Sequence, residues 1–124
     1  MKIYVAAKWE ERPHAREVMR RLKENGHQIS FDWTIGQLGN GKQADEDMNG
    51  VLNADCIILL AEKKLNYRGA LVELGAAIAT GKRVILVGSG VDNCIFSMHP
   101  VIERVWTAEE AIDLLGVGEE EIPF

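Results

Sequence analysis

The segment from Gly69 to Gly81 reads Gly-Ala-Leu-Val-Glu-Leu-Gly-Ala-Ala-Ile-Ala-Thr-Gly and carries a single charge, Glu73. A helix that is apolar nearly all round is a buried one, and an ionised carboxylate inside it is costly unless it is paired or hydrogen-bonded. Two readings of Glu73 follow. In the helix's first turn the dipole favours an anion by about 0.3–1 kcal/mol, a structural role; the same field also keeps a carboxylate ionised for use as a nucleophile. A second acidic group, Asp45-Glu46-Asp47, opens a helix expected over Gln43–Asn53. Asp45 and Glu46 read as a solvated first turn. Asp47, followed by Met48-Asn49-Gly50-Val51, lies closer to the inner face and can point into a site. Two carboxylates flanking a glycosidic carbon, one a nucleophile and one a proton handler, are what a retaining glycosyl transfer requires.

Tyr4 lies in the first apolar run, where a buried phenol needs a hydrogen-bond partner and a carboxylate is a suitable one. Trp9 follows on the next loop, either as a wall for a flat ring or as a lid on the core. Around Ala6-Ala7-Lys8 there is neither G-x-G-x-x-G nor G-x-x-x-x-G-K-[ST], so no dinucleotide fingerprint or nucleotide phosphate loop is present. His14, His27 and His99 lack metal-ligand spacing, as do Cys56 and Cys94, and no metal or organic cofactor is expected. Ser89, in Gly88-Ser89-Gly90, lacks the G-x-S-x-G elbow and reads as a turn.

These residues are positioned by a regular alternation of elements. Ile3–Ala7 is a compact apolar run. Ala15, Val18, Met19 and Leu22 recur at helical spacing, and Asn25-Gly26 ends that helix. Gln28–Trp33 alternates like a half-buried strand, with Ile29, Phe31 and Trp33 on one side, and a glycine-rich loop spans Gly36–Gly41. The helix over Gln43–Asn53, with Met48, Val51 and Leu52 inward, precedes Cys56–Ala61, whose continuous apolar character predicts a central parallel strand. A turn at Glu62–Asn66, a small-residue helix over Gly69–Gly81 and a strand at Arg83–Val87 follow. A fifth strand is expected at Val101–Trp106, and Thr107-Ala108-Glu109-Glu110 is a capping box opening a last helix through Leu115.

Strands alternating with helices in this way predict βαβ units with right-handed crossovers. The expected fold is therefore α/β: a three-layer open sandwich around a five-stranded parallel sheet of order 2-1-3-4-5, flavodoxin-like or Rossmann-like. Ligands in such sheets bind beyond the carboxyl ends of the strands, where the strand order reverses. That brings Tyr4–Trp9, Ala61–Gly69 and the start of the third helix together.

Length and composition agree with one domain over residues 1–124. Hydrophobic residues are 47% and charged residues 27%, with only 12 Gly and 3 Pro, which excludes disordered and collagenous classes. The longest apolar stretch is too short to span a bilayer, and the N-terminus lacks a signal peptide's hydrophobic region, so a cytoplasmic location with no membrane partner is expected. Residues 1–42 hold eight cations and five acids, while residues 43–124 hold six cations and fourteen acids. No basic footprint for a nucleic-acid polymer results, and the Arg16, Arg20, Arg21, Lys23 group, mixed with Glu17 and Glu24, reads as a solvated helix face.

Three groups of residues together resemble the nucleoside 2-deoxyribosyltransferase family and the related 2'-deoxynucleoside 5'-monophosphate N-hydrolases, over residues 2–106. They are Ile3-Tyr4 with Trp9; Asp47-Met48-Asn49-Gly50-Val51 with Asn53-Ala54-Asp55; and Gly69 with Val72-Glu73-Leu74-Gly75-Ala76 and Gly81-Lys82. The resemblance implies that Glu73 attacks C1' of the deoxyribose and forms a covalent glycosyl-enzyme intermediate. It implies that Tyr4 orients that glutamate and that Asp47 assists departure of the base. It makes Ala6, Ala7, Lys8, Trp9, Tyr67, Gly69, Ser97 and Met98 candidates for substrate binding. Met98 resembles a methionine supplied by a neighbouring subunit, which implies a homo-oligomer with a shared site. Tyr67 stands where the transferases carry a base-binding aspartate and the hydrolases a phosphate-binding serine. Phe96, beside Ser97, stands where the family has a polar residue.

The implied reaction is transfer of 2-deoxyribose between nucleobases, with a nucleoside favoured over a nucleotide although Lys8, Arg12 and Arg68 could each hold a phosphate. The alternatives are hydrolysis of a deoxynucleoside 5'-monophosphate, NAD cleavage by a TIR-like domain, and a non-catalytic nucleotide-sensing module. A phosphoreceiver is disfavoured because the first and third strands end in Ala6-Ala7 and Ala61-Glu62 rather than in acidic residues.

Overall fold

Runs rich in Val, Ile and Leu pair as the strands of one parallel sheet in the computed structural model, which describes residues 1–36 and 41–118. The strands are β1 (Lys2–Ala6), β2 (Gln28–Ile29), β3 (Cys56–Leu60), β4 (Arg83–Val87) and β5 (Ile102–Val105), and the helices are α1 (Arg12–Glu24), α2 (Gly41–Leu52), α3 (Arg68–Ala79) and α4 (Ala108–Leu115). Their order in the sheet is β2-β1-β3-β4-β5, as expected from the sequence. In register, Tyr4 lies opposite Ile57, Ile57 opposite Val84, and Ile85 opposite Glu103. Every residue of β3 is buried, the signature of a central strand covered on both faces. Helices α1 and α4 pack together on one face, and α2 and α3 pack together on the other. No helix among the described residues is long and apolar enough to cross a membrane.

Several expected boundaries are corrected. The strand read over Gln28–Trp33 is only Gln28–Ile29, because Asp32 accepts hydrogen bonds from the backbone N–H and hydroxyl of Thr34 and turns the chain into a short 3-10 helix, Trp33–Ile35. Trp33 is nevertheless buried, and its indole Nε1 donates to the Val5 carbonyl at 2.6 Å. Leu52, read as inward, is 43% exposed because Gly50 and Val51 take the buried positions of α2. β3 and β5 are shorter than read, ending at Leu60 and starting at Ile102. Residues 37–40 of the glycine-rich loop, the acidic run Glu119-Glu120-Glu121 and the closing Ile122-Pro123-Phe124 lie outside the described residues.

The loop that follows β3 is seated by the turn after β4. Gly90 donates its N–H to the Ala61 carbonyl at 2.7 Å, and a Cβ on Gly90 would lie 2.2 Å from the Lys63 carbonyl oxygen. Only glycine permits that approach, which fixes where the chain enters α3. A hydrogen-bond contact between His14 Nε2 and Glu62 Oε1 (2.6 Å) and an ion pair between Lys63 and Glu11 (3.3 Å) tie the same loop to the start of α1.

Candidate active site

Beyond the carboxyl ends of β1 and β3, where the strand order reverses, the loops part around a cleft of about 330 Å³. From β1 and its loop it is lined by Tyr4, Ala7, Lys8, Trp9 and Glu10, and from α2 by Gln43 and Asp47. Asn66, Tyr67, Arg68, Gly69 and Glu73 close it from the side of α3, with Trp33 behind.

At its floor the fully buried Tyr4 donates its hydroxyl to Oε2 of Glu73 at 2.5 Å. This bond links β1 to α3 across 69 residues of sequence. Glu73 is the sixth residue of α3, which begins at Arg68 and has no acidic residue in its first turn. The first-turn dipole reading of Glu73 is therefore corrected: burial sets its chemistry. Removal from water is the main cause that pushes its carboxyl up to about 7; the Tyr4 hydrogen bond pulls it down and the nearby Asp47 charge pushes it further up. Tyr4 itself is raised, by burial first and then by the Glu73 charge, so it stays a proton donor. Asp47 is also held above the usual aspartate range, by burial and by the Glu46 charge, and its Oδ1 is buried without a hydrogen-bond partner among the described residues. The cleft thus holds two carboxyls, both shifted upward by burial, of which Glu73 is oriented by a phenol.

The opposite wall is aromatic. Trp9 packs against Trp33 with ring centroids 6.3 Å apart and planes tilted by 39°, and the Arg12 guanidinium carbon stands 3.9 Å from the Trp9 ring centre. The Trp33 bond to Val5 anchors this stack to β1. Lys8 donates to the Asn66 carbonyl and lies 3.7 Å from Glu10, joining the two loops that face one another. Tyr67, which also lines the cleft, is 3% exposed and donates its hydroxyl to the Lys63 carbonyl at 2.7 Å. Arg68 lines the mouth and has no ion pair among the described residues.

Of the residues expected from sequence, Tyr4, Ala7, Lys8, Trp9, Asp47, Tyr67, Gly69 and Glu73 converge on the cleft. Ala6 does not line it and is buried within β1. Ser97 and Met98 lie on a separate 3-10 turn, Ile95–Met98, where Ser97 is buried with no hydrogen-bond partner for its hydroxyl among the described residues and Met98 is 64% exposed. Gln43, Asn66, Glu10 and Trp33 line the cleft without having been singled out. Gln43 carried a usable signal, since it stands four residues before Asp47 and so shares its helix face. Asn66 and Glu10 carried none.

A doubly wound parallel sheet carries a phenol-held carboxylate, a second carboxylate and an aromatic wall at its switch point, an arrangement compatible with glycosyl transfer. The sequence profile of the nucleoside 2-deoxyribosyltransferase family matches residues 3–110, and the chain belongs to that family. It is accordingly a glycosyltransferase or N-glycosidase. Solved structures share the fold. A 2-deoxyribosyltransferase from Bacillus psychrosaccharolyticus aligns with a TM-score of 0.69 at 19% identity, over 100% of this chain and 97% of its own. A CMP N-glycosidase from Clostridium botulinum gives 0.68 at 17% identity, over 93% and 98%, and a conserved protein from Enterococcus faecalis V583 gives 0.67 at 14%, over 91% and 95%. A search of curated proteins gives no match.

Proposed function

We propose that this enzyme transfers 2-deoxyribose between nucleobases by a double displacement at C1'. A Glu73 oxygen attacks C1', the C1'–N bond breaks, and the base leaves with the bonding electrons while Asp47 donates a proton or hydrogen bond to it. An incoming base, giving up its N–H proton to Asp47, then attacks C1' from the opposite face, and Glu73 departs as carboxylate. Two inversions retain the configuration. Tyr4 holds one carboxylate oxygen, leaving the other for attack, and Trp9 stacks on the base. The observation that carries this reading is the 2.5 Å bond from Tyr4 to Glu73 in a cleft that also holds Asp47. A homo-oligomer in which Met98 of one copy reaches the cleft of another accords with its 64% exposure.

A second reading, hydrolysis of a deoxynucleoside 5'-monophosphate, is supported by Arg68, a cation at the mouth of the cleft with no ion pair among the described residues. The CMP N-glycosidase among the proteins of this fold also supports it. Chromatography of deoxynucleosides and their monophosphates, with and without a second free base, separates the two. Base exchange that disappears in Glu73→Ala is the expected result. Base release confined to monophosphates moves the assignment to hydrolysis, and silence of the wild type across the panel refutes both.

A further inference from the structure

On α2, Gln43, Asp47 and Gly50 fall at i, i+4 and i+7, one face of the helix. The first two line the cleft, and the third is buried against its floor. A Cβ on Gly50 would lie 2.8 and 2.9 Å from Cε1 and Cδ1 of Tyr4 and 2.7 Å from Cβ of Phe31. None of these atoms is the loose end of a flexible chain. The Tyr4 ring is held by its hydroxyl on Glu73, and a Cβ moves only with its backbone. From the other side, the Ser30 hydroxyl donates to the Gly50 carbonyl at 2.7 Å, pinning this turn of α2 to the chain that leaves β2. Glycine is unfavourable inside a helix relative to alanine, so its presence here answers a demand for space.

We propose that Gly50 is a positioning residue for the reaction: its missing side chain seats the Tyr4 ring so that the phenol meets Glu73, and Ser30 holds the turn in place. This rests on the reading of Glu73 as nucleophile and Tyr4 as its orienting partner. A methyl group at position 50 must push the ring or lift the helix, and either displacement spoils the Tyr4–Glu73 bond.

The test is the pH dependence of kcat/KM, with kcat and KM measured separately, for the wild type, Tyr4→Phe, Gly50→Ala and the double variant. Gly50→Ala is expected to lower kcat by about 10²-fold with little change in KM, the scale of a displacement near 1 Å. It is also expected to move the acid limb to higher pH, as Tyr4→Phe does. In the Tyr4→Phe background, where no hydroxyl remains to misplace, Gly50→Ala should change kcat by less than about twofold. Full multiplication of the two effects overturns the proposal. Should Gly50→Ala fail to fold, Ser30→Ala carries the test: a smaller shift of the acid limb in the same direction supports the proposal, and an unchanged profile overturns it. A wild-type profile in Tyr4→Phe defeats the underlying reading of Tyr4 together with this inference, whereas a Tyr4→Phe effect independent of Gly50 defeats this inference alone.

Discussion

Glu73 is a nucleophile candidate at the expense of stability. Its carboxyl is raised from 4.5 to about 7, chiefly by burial, so the folded state binds that proton more tightly than the unfolded chain does. The contribution is intact below about pH 4.5 and is lost as pH rises through about 7, after which the ionised group destabilises the fold by about 1–3 kcal/mol. Glu73→Gln, inactive, should therefore melt higher than the wild type above pH ~7 and no higher below pH ~4.5 in thermal denaturation; an equal gain at both would show that burial of charge is not the cause. Removing the phenol takes away the hydrogen bond that lowers the Glu73 carboxyl, so Tyr4→Phe should carry the acid limb of kcat/KM to higher pH. Asp47→Asn is expected to slow base departure by about 10²–10⁴-fold with little loss of sugar binding. Unchanged turnover would reduce Asp47 to a helix-start residue. At this scale Glu73, Tyr4 and Asp47 were legible because their types are anomalous where they stand: a lone charge in an apolar helix, a phenol in a buried strand, a carboxyl on an inner face. Asn66 and Glu10 are ordinary polar loop residues whose role appears only once two loops meet.

At the scale of elements, the ends that carry chemical signals were readable and those that rely on backbone were not. Thr107 accepts a hydrogen bond from the Glu110 N–H at 3.1 Å, as the capping pattern implies, and α4 starts at Ala108. Thr107→Ala should lower stability by about 1 kcal/mol, seen as a reduced Tm with activity retained per folded molecule. The start of α3 has no such marker. Tyr67 caps it without a side-chain hydrogen bond, so Gly69 looked like the beginning and Glu73 like a first-turn residue. The strand at Gln28 was overread because Ile29, Phe31 and Trp33 keep their sidedness although the backbone leaves the sheet after Ile29. The reason for Gly50 in α2 is hidden in the same way: the sequence displays the missing side chain but not the Tyr4 ring lying against it.

For the whole molecule, the continuous apolar character of β3 and the alternation around it were enough to give the sheet order, and the sheet order places the cleft. The turn Ile95–Met98 is different. Ile95, Phe96 and Met98 are 78%, 59% and 64% exposed, and they stand apart from the cleft of their own chain. If a second copy covers them, Met98→Glu should shift the sedimentation coefficient to that of a smaller species and lower activity; a monomeric wild type with full activity would remove the shared site. The central claim, a sugar carried on Glu73, is tested most directly by intact-protein and peptide mass spectrometry of the enzyme mixed with a deoxynucleoside and no acceptor base. An added deoxyribosyl mass on the peptide containing Glu73, discharged when a second base is supplied, is the predicted result. Base exchange in an enzyme that never acquires that mass, with Glu73→Ala still active, would contradict it.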